Sequence, residues 1–120
     1  LFGVSPLQTK EVIENDIKIS REIGADFVMY GVTTPFPGTE FHDIAIRNGW
    51  IKTGEYVPID PLRDSIIEYP SISAEELRDL LKKANKEFYL RPTTLFRVIK
   101  EISNPLEIKK YLKSLWRLIR

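Results

Sequence analysis

The 120 residues predict an α/β fold, strand–helix–strand–helix, followed by an all-helical C-terminal extension. Three observations predict it. Two apolar segments, Leu1 to Val4 and Asp26 to Thr33 (DFVMYGVT), flank an amphipathic helix. The second carries apolar side chains on both faces, as strands of parallel sheets do. From Ser73 onward the apolar residues recur at helical spacing.

Each element has a local reason. Leu1 to Val4 reads as the end of a buried strand, and Ser5 to Gln8 as a turn. Thr9 is a suitable N-cap for a helix to about Ile23, with Val12, Ile13, Ile17 and Ser20 on one stripe. Gly24 stands where a C′ glycine belongs. The strand Asp26 to Thr33 completes a βαβ unit, whose crossover is expected to be right-handed. The corner TTPFPGTEF follows, from Thr33 to Phe41. Thr34 and Phe36 precede prolines and are pushed to extended conformations. Pro37-Gly38 suits the middle of a type II turn. Thr39 caps the next helix, Glu40 to Asn48, and Gly49 ends it. In α/β folds this edge, at the carboxyl ends of the strands, is where ligands bind.

Trp50 to Ile72 lacks a clear period and holds three prolines, yet it also holds Trp50, Tyr56, Ile59, Ile66, Ile67 and Tyr69. It reads as an ordered loop that covers something. Ser73-x-x-Glu76 is a capping box. Leu77, Leu80, Leu81, Ala84 and Phe88 then make a core-facing stripe, and Pro92 breaks that helix. A short helix follows with Leu95, Phe96, Ile99 and Ile102, and Asn104-Pro105 opens the last one.

Hydrophobic residues make up 42% of the chain, enough for one core. The net charge of +1 gives no electrostatic footprint for nucleic acid. No apolar run reaches the roughly 20 residues of a membrane span, no signal peptide is evident, and a cytoplasmic setting is expected. Cysteine is absent, which excludes disulfides, thiolate zinc sites, cysteine nucleophiles and a self-ligated iron–sulfur cluster. There is no phosphate-binding glycine loop and no Gly-x-Ser-x-Gly elbow. The single histidine, His42, lies near Glu40 and Asp43 but reads better as a solvated first-turn residue than as a metal ligand. Arg91, Arg97 and Lys100 flank RPTTLF, where a capped helix junction is favoured over a phosphate contact. The last helix sets Lys109, Lys110, Lys113, Arg117 and Arg120 against one acid, Glu107, with Ile108, Tyr111, Leu112, Leu115 and Ile119 on its other side. Packing on the domain is weighed ahead of contact with a membrane or RNA.

Two segments carry a resemblance. PLQTKEVIENDIKISREIGADFVMYGVTTPFPGTEFHDIAIRNGWI resembles the late barrel segment of radical S-adenosylmethionine (radical SAM) enzymes, in the branch associated with a cobalamin-binding domain. SAEELRDLLKKANKEFYLRPTTLFRVIKEI resembles that branch's C-terminal helical part, where Phe-Tyr-x-Arg-Pro recurs. The resemblance implies a partial (β/α) barrel. In it, residues 1–50 are the last βα units, 51–72 a connecting or cover loop, and 73–120 the C-terminal helical region. It implies a Cys-x-x-x-Cys-x-x-Cys loop elsewhere holding a [4Fe–4S] cluster that reduces S-adenosylmethionine to a 5′-deoxyadenosyl radical. By carry-over the cofactor-binding candidates are Val4, Pro6 and Gln8 in the first loop, and Thr33, Thr34 and Pro35 in the second. Aligned through Pro6 to Thr9, the family's glycine falls on Val4 and its glutamate on Gln8.

The expected function is that of a C-terminal portion of an oxidoreductase or methyltransferase-like radical SAM enzyme, contributing barrel wall and part of the S-adenosylmethionine pocket. Its substrate would be apolar or ring-shaped, such as a tetrapyrrole or lipid. No catalytic residue and no metal ligand is assigned, and this chain alone is expected to bind neither cofactor nor cluster; cobalamin would belong to the full-length parent. The expected partner is the missing N-terminal barrel portion, with self-association through an open sheet edge as the alternative and no nucleic acid. The other reading of the whole is a stand-alone α/β-helical interaction module whose basic C-terminal helix contacts a membrane surface or partner protein.

Overall fold

The structure is a computed structural model that describes residues 1–101 and 105–119. Five helices account for its regular structure: α1 (Lys10–Glu22), α2 (Glu40–Arg47), α3 (Ala74–Tyr89), α4 (Pro92–Glu101) and α5 (Pro105–Ile119). Ile102, Asn104 and Arg120 lie outside the described residues, as do the side chains of Ile99, Glu107, Leu115, Arg117 and Ile119.

The helices form where the local chemistry predicts. Thr39 accepts the His42 amide at 3.2 Å and Gly38 takes φ +85°, so the proline–glycine corner closes as the turn predicted and caps α2. At the start of α3 the Ser73 hydroxyl accepts the Glu76 amide while the Glu76 carboxylate accepts the Ser73 amide. These hydrogen bonds, to the backbone first, hold the Glu76 carboxyl below the usual range. Leu77, Leu80, Leu81, Ala84 and Phe88 are all buried, as their spacing requires. Thr9 occupies the N-cap of α1 without a side-chain capping bond to a helix amide, and Val12 is 46% exposed rather than part of the buried stripe.

The predicted βαβ unit and barrel fragment are absent, and this corrects the expected fold class. Among the described residues there is no strand, only isolated bridges. The two segments do meet in parallel, through Phe2 and Val32: the Phe2 amide donates to the Gly31 carbonyl and the Thr33 amide to the Phe2 carbonyl, each at 2.9 Å. The pairing stops after one residue for identifiable reasons. Gly3 turns the first segment away at φ +67°, and the next amide, that of Val4, is taken by the Gln8 side chain at 3.1 Å. Pro35 has no amide with which to extend the second. Leu1 and Val4 are exposed, so the first segment is not the end of a buried strand.

Upstream, none of the amides from Phe27 to Gly31 donates to another described residue. Side chains hold this segment instead: the Tyr89 hydroxyl donates to the Val28 carbonyl at 2.5 Å, and Arg91 donates to the Ala25 carbonyl at 2.9 Å. Val28, Tyr30 and Val32 face inward while Phe27 and Met29 are 65% and 67% exposed, so the segment is buried on one face only.

One core joins these parts. Ile13 and Ile17 of α1, the α3 stripe, and Phe2, Tyr30 and Val32 pack together with Ile51, Ile66, Ile67, Tyr69 and Ile72. Residues 51–72 are therefore built into the core. An antiparallel bridge between Ile51 and Ile67 closes this loop, and the Pro61 carbonyl accepts the Val32 amide at 2.8 Å. Burial raises the Tyr69 pKa to about 12, and its hydroxyl donates to the Gly3 carbonyl at 2.9 Å.

Candidate functional site

The single bridge between Phe2 and Val32 sets the two predicted cofactor loops off from one point. The first loop is a turn from Ser5 to Gln8, closed by the Gln8 amide on the Ser5 carbonyl at 3.0 Å. The Gln8 side chain clasps this loop from within, accepting the Val4 amide and donating to the Leu1 carbonyl at 3.5 Å. Pro6 offers its carbonyl to the Ser71 hydroxyl at 2.9 Å. Val4 is left 53% exposed.

In the second loop Thr33 and Thr34 are half-buried. The Thr33 hydroxyl is buried and has no hydrogen-bond partner. Thr34 donates to the Val32 carbonyl at a long 3.4 Å. Pro35 is fully buried, and beyond it the Phe36 ring lies 6.0 Å from that of Tyr56. The Thr33 hydroxyl is thus unpaired, Thr34 is weakly bonded and Val4 is exposed, whereas Pro6, Gln8 and Pro35 are engaged within the protein.

Other sites carry less chemistry. A cleft of about 180 Å³ is lined by Lys52, Asp64, Glu75 and Arg78, but Lys52 pairs with Glu75, and Arg78 with Asp64 at 3.8 Å. Its charges balance, so it has no excess for an anion. Among the described residues no group of histidine and carboxylate side chains could hold a metal ion. The His42 side chain is 19% exposed, less than a solvated first-turn residue, and its Nδ1 lies 3.6 Å from the Asp43 carboxylate.

Arg91 belongs to a junction, as the sequence favours, and the structure shows how. Its guanidinium donates to the Arg21 and Ala25 carbonyls at 2.8 and 2.9 Å, bonds the Thr94 hydroxyl, and lies 4.1 Å over the Phe88 ring. Arg97 pairs with Asp26. The sequence analysis missed Trp116, which the i, i+4, i+8 spacing with Ile108 and Leu112 would have placed on one line of α5.

Over 115 residues the chain is 32% identical to an uncharacterized methyltransferase of Pyrococcus horikoshii. The alignment takes in 93% of this chain and 24% of the relative, so the chain spans about a quarter of that protein's length. No family model matches the chain, and no solved structure matches it. None of the described helices is long and apolar enough to cross a membrane.

Proposed function

We propose that this chain is a portion of a methyltransferase-like enzyme of the radical S-adenosylmethionine kind, in which it helps hold the cofactor and does not catalyse alone. The observation that carries the reading is the buried Thr33 hydroxyl without a partner, at the head of the TTPFPGTEF corner. An unsatisfied buried hydroxyl costs about 1–3 kcal/mol, which a polar atom of a ligand offsets. Thr33 and Thr34 offer hydroxyls to the polar parts of the cofactor, and Val4 offers exposed apolar surface to its adenine. Bound S-adenosylmethionine supplies an electrophilic methyl group, the chemistry a methyltransferase needs.

These 120 residues contain no thiolate for an iron–sulfur cluster, so the reading places those ligands elsewhere in a longer polypeptide. The relative's fourfold greater length is compatible with that. No residue of this chain is assigned to cobalamin. An apolar or ring-shaped substrate, a tetrapyrrole or lipid, follows from the resemblance alone.

Two measurements test the proposal. The genomic DNA upstream of the Leu1 codon, read in frame, is expected to encode a Cys-x-x-x-Cys-x-x-Cys loop; an in-frame stop codon beside a ribosome-binding site refutes the larger claim. In the protein so encoded, Thr33→Val is expected to weaken S-adenosylmethionine binding by about tenfold, the equivalent of one hydrogen bond. Equilibrium dialysis with labelled cofactor measures this, and an unchanged affinity refutes the site.

A further inference from the structure

The bridge between Phe2 and Val32 fixes a parallel register, in which neighbours on the two segments are as far apart in the chain as these two residues are. In an extended chain the amide and carbonyl of one residue point to the same side, and successive residues alternate sides. Phe2 bonds the Gly31 carbonyl and the Thr33 amide, so the odd-numbered residues of the second segment turn their backbone groups toward the first. The even-numbered ones turn theirs away: the Val32 amide donates to the Pro61 carbonyl, and the Val28 carbonyl accepts the Tyr89 hydroxyl. The odd-numbered amides upstream, those of Met29 and Gly31, donate to no described residue. Side chains follow the same alternation, with Val28, Tyr30 and Val32 toward the core and Phe27 and Met29 exposed. A Cβ on Gly31 would stand 3.6 Å from Leu1 Cδ2, so Leu1 lies beside Gly31, where the register puts it. Gly3 ends the pairing downstream, at φ +67°. Among the described residues nothing ends it upstream.

We propose that the residues immediately before Leu1 in the longer polypeptide run along Phe27 to Gly31 and continue this parallel register. The inference rests on the reading that the chain is a portion of a longer enzyme. The first residue before Leu1 stands beside Tyr30, donates its amide to the Met29 carbonyl and accepts the Gly31 amide. The third stands beside Val28, donates to the Phe27 carbonyl and accepts the Met29 amide. Both side chains then share the core-facing side with Phe2 and Tyr30, so both should be apolar. Continuity selects this occupant. A segment joined to Leu1 starts at the open edge and in register, with no loop to close. A strand from a second copy would have to offset the entropy of association as well as its own ordering.

Amide exchange in the longer polypeptide, read by nuclear magnetic resonance, is the test. The Met29 and Gly31 amides are expected to exchange at least about 100-fold more slowly than in an unfolded peptide. The register is read by cross-linking. A cysteine in place of the second residue before Leu1 should form a disulfide with Met29→Cys, its lateral neighbour, and none with Phe27→Cys, which lies out of register and out of disulfide range. Phe27 and Met29 are exposed, so neither substitution opens the core. Should the cysteine variants misfold, cross-strand nuclear Overhauser contacts to Met29 and Gly31 in the unaltered protein read the same register. Unprotected Met29 and Gly31 amides overturn the proposal. Protection without the Met29 cross-link or those contacts also overturns it, because another segment then covers the edge. These outcomes are separate from the cofactor reading: a missing three-cysteine loop, or an unchanged cofactor affinity in Thr33→Val, refutes that reading and leaves the exchange result intact.

Discussion

Replacing Arg91 should loosen the whole molecule, because one guanidinium ties the end of α3 to the segment that leaves α1. Its bond to the Ala25 carbonyl is partly buried, and a hydrogen bond from a charged donor contributes about 1.5–3 kcal/mol. The bond to the exposed Arg21 carbonyl contributes little, since water replaces it. The stacking over Phe88, at 4.1 Å, adds about 0.5–1 kcal/mol. Arg91→Ala is therefore expected to destabilise by about 3 kcal/mol, lowering Tm by roughly 10 °C for a domain of this size. Arg91→Lys should lose about 2 kcal/mol, because one ammonium cannot reach both carbonyls and cover the ring. Arg97→Ala is the control: its ion pair with Asp26 is largely solvent-exposed, worth at most about 1 kcal/mol. Urea unfolding followed by circular dichroism measures all three. If Arg91→Ala loses less than about 1 kcal/mol, or no more than Arg97→Ala, the tie does not carry the load assigned to it.

Two glycines with positive φ should respond differently to alanine. At Gly3 a Cβ would stand 3.2 Å from Leu77 Cδ1 and 3.3 Å from Ile67 Cγ2, whereas at Gly38 it meets nothing within 4 Å. Gly38→Ala should cost about 1 kcal/mol of backbone strain and Gly3→Ala about 2–3 kcal/mol, read as urea midpoints; equal costs would discount the packing at Gly3. Tyr69 makes stability depend on alkaline pH. Its folded pKa of about 12 lies above the ordinary value of 10, so its contribution is complete below pH 10 and is lost as pH rises toward 12. Tyr69→Phe should flatten that decline in a series of urea midpoints, and a decline as steep as the wild type's would assign it to other groups. Ser73→Ala removes the hydroxyl half of the capping box and should cost about 1 kcal/mol; no loss of thermal stability would mean that Glu76 alone suffices to cap α3.

The sequence announced the helices well because their determinants are local. Thr39, Gly38 and the Ser73–Glu76 pair act within four residues of themselves, and the α3 stripe needs only its own period. The sheet was misread because a strand is defined by its neighbours. DFVMYGVT has apolar side chains on both faces whether or not anything pairs with it, and Phe27 and Met29 remain exposed. Arg91 shows the same limit: its residue type suggested a junction, but the carbonyls of Arg21 and Ala25 lie some seventy positions away in the chain. Of the corner, the Pro37-Gly38 turn and the Thr39 cap were legible. That Gln8 would spend its amide on its own loop was not, because the clasp depends on where Gly3 turns the backbone.

The stretch from Phe27 to Gly31 has a kinetic meaning as well as a structural one. Its course is fixed by side-chain tethers at Val28 and, just upstream, at Ala25, and by a row of inward residues, while its amides make no hydrogen bond to another described residue. Each residue so fixed has already given up about 1–2 kcal/mol of backbone entropy. A strand arriving at this edge would have to order only itself, and its nucleation barrier would be lowered accordingly. Amide exchange in the 120-residue chain would expose the feature directly: the exposed Phe27 and Met29 should exchange much faster than the hydrogen-bonded Phe2 and Val32.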